Sequence, residues 1–144
     1  MRIYLDNCCL NRPFDDQSHV GIRLESEAKL CIQEQIRTGR LEIVWSYMLD
    51  FENAANPFEE RQSAIRDWKS LAVADIVETP ALLQTARRML ATGLKPKDAL
   101  HLACAIAAAC DYFVTTDHGI LKRVRDVPNI VIASPITLVQ ELNL

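Results

Sequence analysis

The sequence predicts an α/β domain with a central, mainly parallel sheet flanked by helices. Three observations carry this. Short strand-like runs alternate with longer amphipathic runs along the whole chain, the pattern of parallel strands joined by helical crossovers. The chain has 144 residues, so residues 1–144 read as one compact domain. Its composition, 49% hydrophobic and 24% charged, is that of a globular protein able to bury a core without staples.

The elements follow in order. Arg2–Leu5 is apolar and rich in strand formers, and ends at Asp6-Asn7; Asn11-Arg12-Pro13 reads as loop. From about His19 to Thr38, Val20, Leu24, Ala28, Cys31, Ile32 and Ile36 recur at helical spacing, with Gly39 as the stop. Ile43-Val44-Trp45 is a second strand, and Ser46 caps a helix through Tyr47–Ala55. Asn56-Pro57 has the cap-and-proline signature of another helix, with Phe58, Ile65, Trp68 and Ala72 as its apolar face. Ile76-Val77 is a weak strand, and Thr79-Pro80 opens a helix to Gly93. Pro96–Cys110 is helical and nearly all apolar from Ala99 on, the mark of a helix buried on all sides. Tyr112–Thr115 is a strand, Asp117 caps a short helix, Ile130–Ala133 is a strand, and Pro135–Leu142 is a last helix.

Composition narrows the function classes. The longest charge-free apolar run, Leu102–Cys110, is too short to cross a bilayer, and Asp6 stands where a signal peptide would be apolar. The expected location is therefore cytoplasmic, with no membrane partner. Five cysteines without a C-x-x-C pair argue against a disulfide framework or a zinc site, and Cys8 and Cys9 are expected to be buried thiols. The net charge of −3 gives no global attraction to nucleic acid, so such a role needs a local basic patch or metal ions.

In an open α/β sheet, ligands bind beyond the carboxyl ends of the strands. Asp6 ends the first strand, Asp50 and Glu52 follow the second, Asp98 lies in the first turn of the buried helix, and Thr116-Asp117 ends a later strand. Singly, each acid has an ordinary structural role as strand terminator, helix cap, dipole partner or solvated residue. Together, clustered carboxylates repel, and a cation relieves that cost. Oxygen ligands without a His or Cys partner favour Mg²⁺ or Mn²⁺. An Asp-x-Asp phosphatase is excluded because Cys8 stands two residues after Asp6. A receiver domain fits poorly, since Asp15-Asp16 lies far from the strand end, and there is no phosphate loop or G-x-S-x-G elbow. His101, one turn after Asp98, is expected to be a satisfied, partly buried histidine.

These residues resemble the four motifs of PIN domains. Tyr4-Leu5-Asp6-Asn7 resembles the first, and Ser46–Glu52, with a serine six positions before the acid, the second. Lys97-Asp98-Ala99-Leu100-His101-Leu102-Ala103 resembles the third, and Asp111–Asp117, ending in Thr-Asp, the fourth. The resemblance covers nearly the whole chain and implies a PIN-like three-layer domain. It implies a metal-dependent endoribonuclease using Mg²⁺ or Mn²⁺ and acting on RNA, of the kind found as VapC-like toxins in type II toxin–antitoxin pairs. It further implies a homodimer and a cognate antitoxin protein. Carried over residue by residue, the catalytic and metal-binding acids are Asp6, Glu52, Asp98 and Asp117. Thr116 is implied as the hydroxyl supporting the last acid, and Asn7 as a supporting residue where the family often has Thr or Ser. Arg12, Lys95, Lys97, Lys122, Arg123 and Arg125 flank the motifs; Arg12 and Lys97 are the candidate RNA contacts, with solvated surface charge as the plain alternative for each. The competing functions are a catalytically silent PIN module that binds RNA or a protein, and a nuclease directed at DNA or ribosomal RNA. Phe14, Val20, Tyr47, Phe51 and Phe58 are either a partner surface or core.

Overall fold

The computed structural model describes residues 1–124 and 126–144. Its five strands are β1 (Arg2–Leu5), β2 (Glu42–Ser46), β3 (Ala74–Ile76), β4 (Tyr112–Val114) and β5 (Val131–Ala133). Its helices are α1 (Asn7–Asn11), α2 (Val20–Arg37), α3 (Tyr47–Ala54), α4 (Glu59–Asp67), α5 (Pro80–Leu90), α6 (Pro96–Ala107), α7 (His118–Arg123) and α8 (Pro135–Leu142). The strands form one sheet in the order β3-β2-β1-β4-β5, and every pairing is parallel.

This order decides where a site can form. The chain steps outward from β1 through β2 to β3, then returns to lay β4 on the other side of β1. Right-handed crossovers put α2 on one face of the sheet and α5 and α6 on the other. Helix α2 packs on α8, and α5 on α6. The strand order therefore reverses between β1 and β4, and the crevice beyond their carboxyl ends is the expected ligand position. Burial agrees: Ile3, Tyr4 and Leu5 of β1 and Phe113 and Val114 of β4 have no exposed surface.

Several expectations need correction. The segment after Asp6 is helical rather than loop, because the Asp6 side chain accepts from the Asn7 amide and caps α1, which runs into a 3₁₀ turn at Arg12–Phe14. Helix α4 begins at Glu59, later than Asn56-Pro57 suggests. Asn56 Oδ1 accepts from the Phe58 amide (3.2 Å), a local turn that competes with helix, and Phe58 caps α4 in solvent rather than joining its apolar face. Ile65 and Trp68 are buried as their spacing predicts. Strand β3 sits two residues earlier than Ile76-Val77, paired through Val44–Ala74, and Val77 is exposed. Helix α6 is buried from His101 to Ala105 but ends at Ala107, and Ala109 takes a positive φ of 53° in the turn that follows. On α2, Val20 and Leu24 are exposed, while Ser26, Lys29 and Gln33 join Ala28, Ile32 and Ile36 on the buried face. Cys9 is buried as expected, but Cys8 is only half-buried.

Candidate active site

Each acid is positioned by a different element at one edge of the sheet. Asp6 leaves β1 with its backbone amide donating to Val114 O of β4 (2.9 Å). Its carboxylate is nearly buried. Oδ1 accepts from the Asn7 amide (2.7 Å), and Oδ2 from Thr115 Oγ1 (2.8 Å) and Cys8 Sγ (3.3 Å). Asp117 leaves β4 and caps α7, with Oδ1 accepting from Gly119 N (2.7 Å) and Ile120 N (3.3 Å). A side chain on Gly119 would place its Cβ 2.9 Å from that oxygen, so the glycine leaves room for the carboxylate. Asp98 stands in the first turn of α6, and Glu52 in the middle of α3. Asp50 points elsewhere, held by Trp45 Nε1 (3.0 Å) and Lys69 Nζ (2.9 Å).

The electrostatics tie three of these acids together. Burial raises the Asp98 carboxyl above its ordinary range, and the charges of Asp6 and Asp117 raise it further. Asp98 therefore feels both neighbours, and none of the three has a Lys or Arg ion pair among the described residues. Glu52 behaves differently. Burial alone would raise its carboxyl, but the hydrogen bond from His101, the Lys97 charge and the Asn7 side chain outweigh burial and hold it low. His101 Nε2 lies 2.7 Å from Glu52 Oε1, and its Nδ1 lies 2.6 Å from the Tyr4 hydroxyl. The histidine is satisfied, as its lone position suggested, but it is fully buried rather than partly so.

The supporting residues are partly reassigned. The hydroxyl touching the acids is that of Thr115, which donates to Asp6 and accepts from the Asp117 amide (3.1 Å). Thr116 Oγ1 instead accepts from Arg12 Nη2 (2.9 Å). Successive residues leaving a strand point to opposite sides, so only one of the two hydroxyls can face the acids. Arg12, a candidate RNA contact, is also engaged with Asp15 (3.1 Å) and Glu25 (2.9 Å), and so braces α1, α2 and the β4 end. Lys97 is exposed, with its ammonium 5.5 Å from the centre of the Phe51 ring. Arg123 donates to Gly93 O (2.7 Å), and Arg125 lies outside the described residues. Thr115, His101 and Tyr4 are the participants that motif position did not identify. The signal available for His101 was its place one helical turn after Asp98.

A cleft of about 130 Å³ lies between α6 and α7, lined by Asp98, Asp117, Lys95, Arg123, Gly119 and Ile120. A larger cavity, about 760 Å³, includes Met1, Asp111 and Tyr112 at the amino ends of the strands and touches none of the four acids. The chemistry of the crevice, rather than cavity size, marks the site. Among the described residues no three His, Cys, Asp or Glu side chains converge closely enough to hold a metal ion between them. Asp6 and Asp117 spend oxygens on backbone and hydroxyl donors, while no hydrogen bond from a described residue reaches the Asp98 carboxylate. The donor set is all carboxylate oxygen, and at Asp98 burial and the charges of Asp6 and Asp117 outweigh the opposing Lys95 charge, a combination that fits a hard divalent cation.

The fold is shared with a chain in the crystal structure of VapBC2 from Rickettsia felis bound to a DNA fragment from their promoter. The TM-score is 0.58 at 16% identity, over 93% of this chain and 98% of that one. No curated protein matches the chain in sequence. The PIN domain family profile matches residues 3–127, which span all four acids and the parallel sheet through β4. The chain therefore belongs to the PIN domain family.

Proposed function

We propose that the protein is a divalent-metal-dependent endoribonuclease that hydrolyses RNA phosphodiester bonds, and that it is the toxin of a type II toxin–antitoxin pair. The observation carrying this is the convergence of Asp6, Asp98 and Asp117 from three separate elements, with Asp98 under the charges of the other two and no basic ion-pair partner for any of them among the described residues. A bound Mg²⁺ or Mn²⁺ would supply Lewis acidity there, for water activation and for neutralising charge on the phosphoryl oxygens. Asp6, Asp98 and Asp117 are the proposed ligands. Glu52, kept ionised and anchored by His101, binds the cation or orients the attacking water. Asn7 helps hold Glu52 ionised, and Lys97, unlike Arg12, is free of a carboxylate ion pair among the described residues and available for a substrate phosphate.

The partner side of the proposal rests on family and surface. Phe14, Val20, Phe51 and Phe58 are exposed, and Tyr47 is half-buried, so most of that set is available to a protein such as an antitoxin. The structural neighbour was captured as a VapBC complex on promoter DNA, and an analogous complex is proposed here. A homodimer of single PIN domains in the cytoplasm completes the proposal. Among the described residues no helix is long and apolar enough to cross a membrane.

The test is cleavage of mixed-sequence single-stranded RNA, and of DNA of the same sequence, with Mn²⁺, with Mg²⁺ and with chelator. The Asp98→Asn variant runs alongside. Metal-dependent cutting of RNA that the variant lacks supports the assignment. Equal cutting by the variant refutes it. A folded protein that neither cuts nor binds Mn²⁺ is instead a silent binding module.

A further inference from the structure

We propose that Tyr4 and His101 are positioning residues for Glu52. With Ser46 they form a buried hydrogen-bonded relay that ties one oxygen of the Glu52 carboxylate and turns the other toward the acid cluster. The inference rests on the metal-dependent nuclease assignment above and names residues that act behind its site.

The relay is continuous. Leu49 N donates to Ser46 Oγ (3.3 Å), Ser46 Oγ lies 2.7 Å from Tyr4 Oη, Tyr4 Oη lies 2.6 Å from His101 Nδ1, and His101 Nε2 lies 2.7 Å from Glu52 Oε1. Ser46, Tyr4 and His101 have no exposed surface. Proton accounting orders the chain. An ionised Glu52 can only accept, so Nε2 carries the proton. The Tyr4 phenol is fully buried between Ser46 Oγ and His101 Nδ1, so its O–H is shared within the relay rather than with solvent. Tyr4 then donates to the bare Nδ1, and Ser46 donates to Tyr4 while accepting from Leu49. Every link has one donor and one acceptor, which selects a single histidine tautomer. The rings are fixed as well. Tyr4 stacks on Phe113 at 5.5 Å with 10° between planes and meets His101 edge-on at 5.8 Å. The relay draws on β1, the β2–α3 junction and α6, so it registers Glu52 against the elements that carry Asp6 and Asp98. A buried polar chain is costly unless fully satisfied. This one is satisfied and terminates on a carboxylate of the site.

The test is Mn²⁺ binding by calorimetry for Tyr4→Phe, His101→Leu and His101→Gln, each alone and combined with Glu52→Gln. Melting curves and the nitrogen chemical shifts of His101 are recorded in parallel. Groups that hold a metal site from behind usually change affinity about 10–100-fold when removed. Tyr4→Phe and His101→Leu should therefore weaken Mn²⁺ binding about tenfold or more with Glu52 present. In the Glu52→Gln background the further change should be less than about twofold, because the effect runs through Glu52. His101→Gln, which restores an N–H near Nε2, should recover part of the loss. Wild-type His101 should show a protonated Nε2 and a bare Nδ1, and Tyr4→Phe should mix the tautomers. Equal losses in both backgrounds overturn the relay, as does unchanged affinity in folded variants. If wild type binds Mn²⁺ and cuts RNA while the variants match it, the relay fails and the nuclease assignment stands. If wild type does neither, the nuclease assignment fails and the relay's role falls with it.

Discussion

Lys29 offers a sharp test of the packing. It lies on the buried face of α2, 2% exposed, with its ammonium 5.1 Å from the Trp68 ring centre. With the Gln33 amide turned so that its oxygen faces them, that oxygen accepts from Trp68 Nε1 (3.1 Å) and from the Lys29 ammonium. No carboxylate pairs with Lys29 among the described residues. Burial, reinforced by the charge of Arg37, brings its pKa from 10.5 down to about 8. Between those values the unfolded chain binds the extra proton, so stability rises with pH across this window. Below pH 8 the charged group costs the folded state about 3 kcal/mol, at about 1.4 kcal/mol per pH unit. Lys29→Met removes that cost but gives up the cation–π contact, about 1–2 kcal/mol when desolvated. The net expectation at pH 7 is a gain of about 1–2 kcal/mol, or roughly 3–6 °C in Tm for a chain of this size. Urea melts of both proteins at pH 7 and pH 9.5 test this, since other groups titrate alike in the two and cancel. The advantage of the variant should shrink or reverse at pH 9.5. A variant less stable than wild type by the same amount at both pH values would refute the argument.

Two further predictions concern the site. Gly119→Ala should displace the Asp117 carboxylate, costing about 1 kcal/mol of capping energy and weakening Mn²⁺ binding; unchanged melting and affinity would show that the carboxylate yields freely. Thr115→Val should cost about 1–3 kcal/mol, because it leaves Asp6 Oδ2 and the Asp117 amide short of a partner. Thr116→Val, which loses only the Arg12 contact, should cost less, and the opposite order in thermal melts would sink the reassignment of the supporting hydroxyl.

Much of the fold was legible because the signals were local. Ser46, Thr79, Asp117 and Ser134 cap their helices with side-chain oxygens, and Pro80, Pro96 and Pro135 sit in first turns. Two of the elements misplaced are ones where two local signals compete. Asp6 both ends a strand and caps a helix, and Asn56 could cap a helix or close a turn. The polar residues on the buried face of α2 were invisible to a hydrophobic pattern, because Lys29 and Gln33 are satisfied by Trp68 and by each other.

The sequence by itself determined that this chain is an α/β domain of the PIN family, that Asp6, Asp98 and Asp117 stand at the ends or first turns of its elements, and that Glu52 lies on the helix after the second strand. Those facts depend on periodicity, capping and motif order, which are written in neighbouring residues. Tertiary structure alone decided what surrounds the acids. The contact of Thr115 with Asp6 joins residues 109 positions apart, and that of His101 with Glu52 joins residues 49 apart. Both exist because β1 lies between β2 and β4, a strand order that brings α3 and α6 to the same edge. Local propensity carries no information about strand order, so which hydroxyl faces Asp6, which bases are spent on protein partners, and what holds Glu52 became readable only in three dimensions.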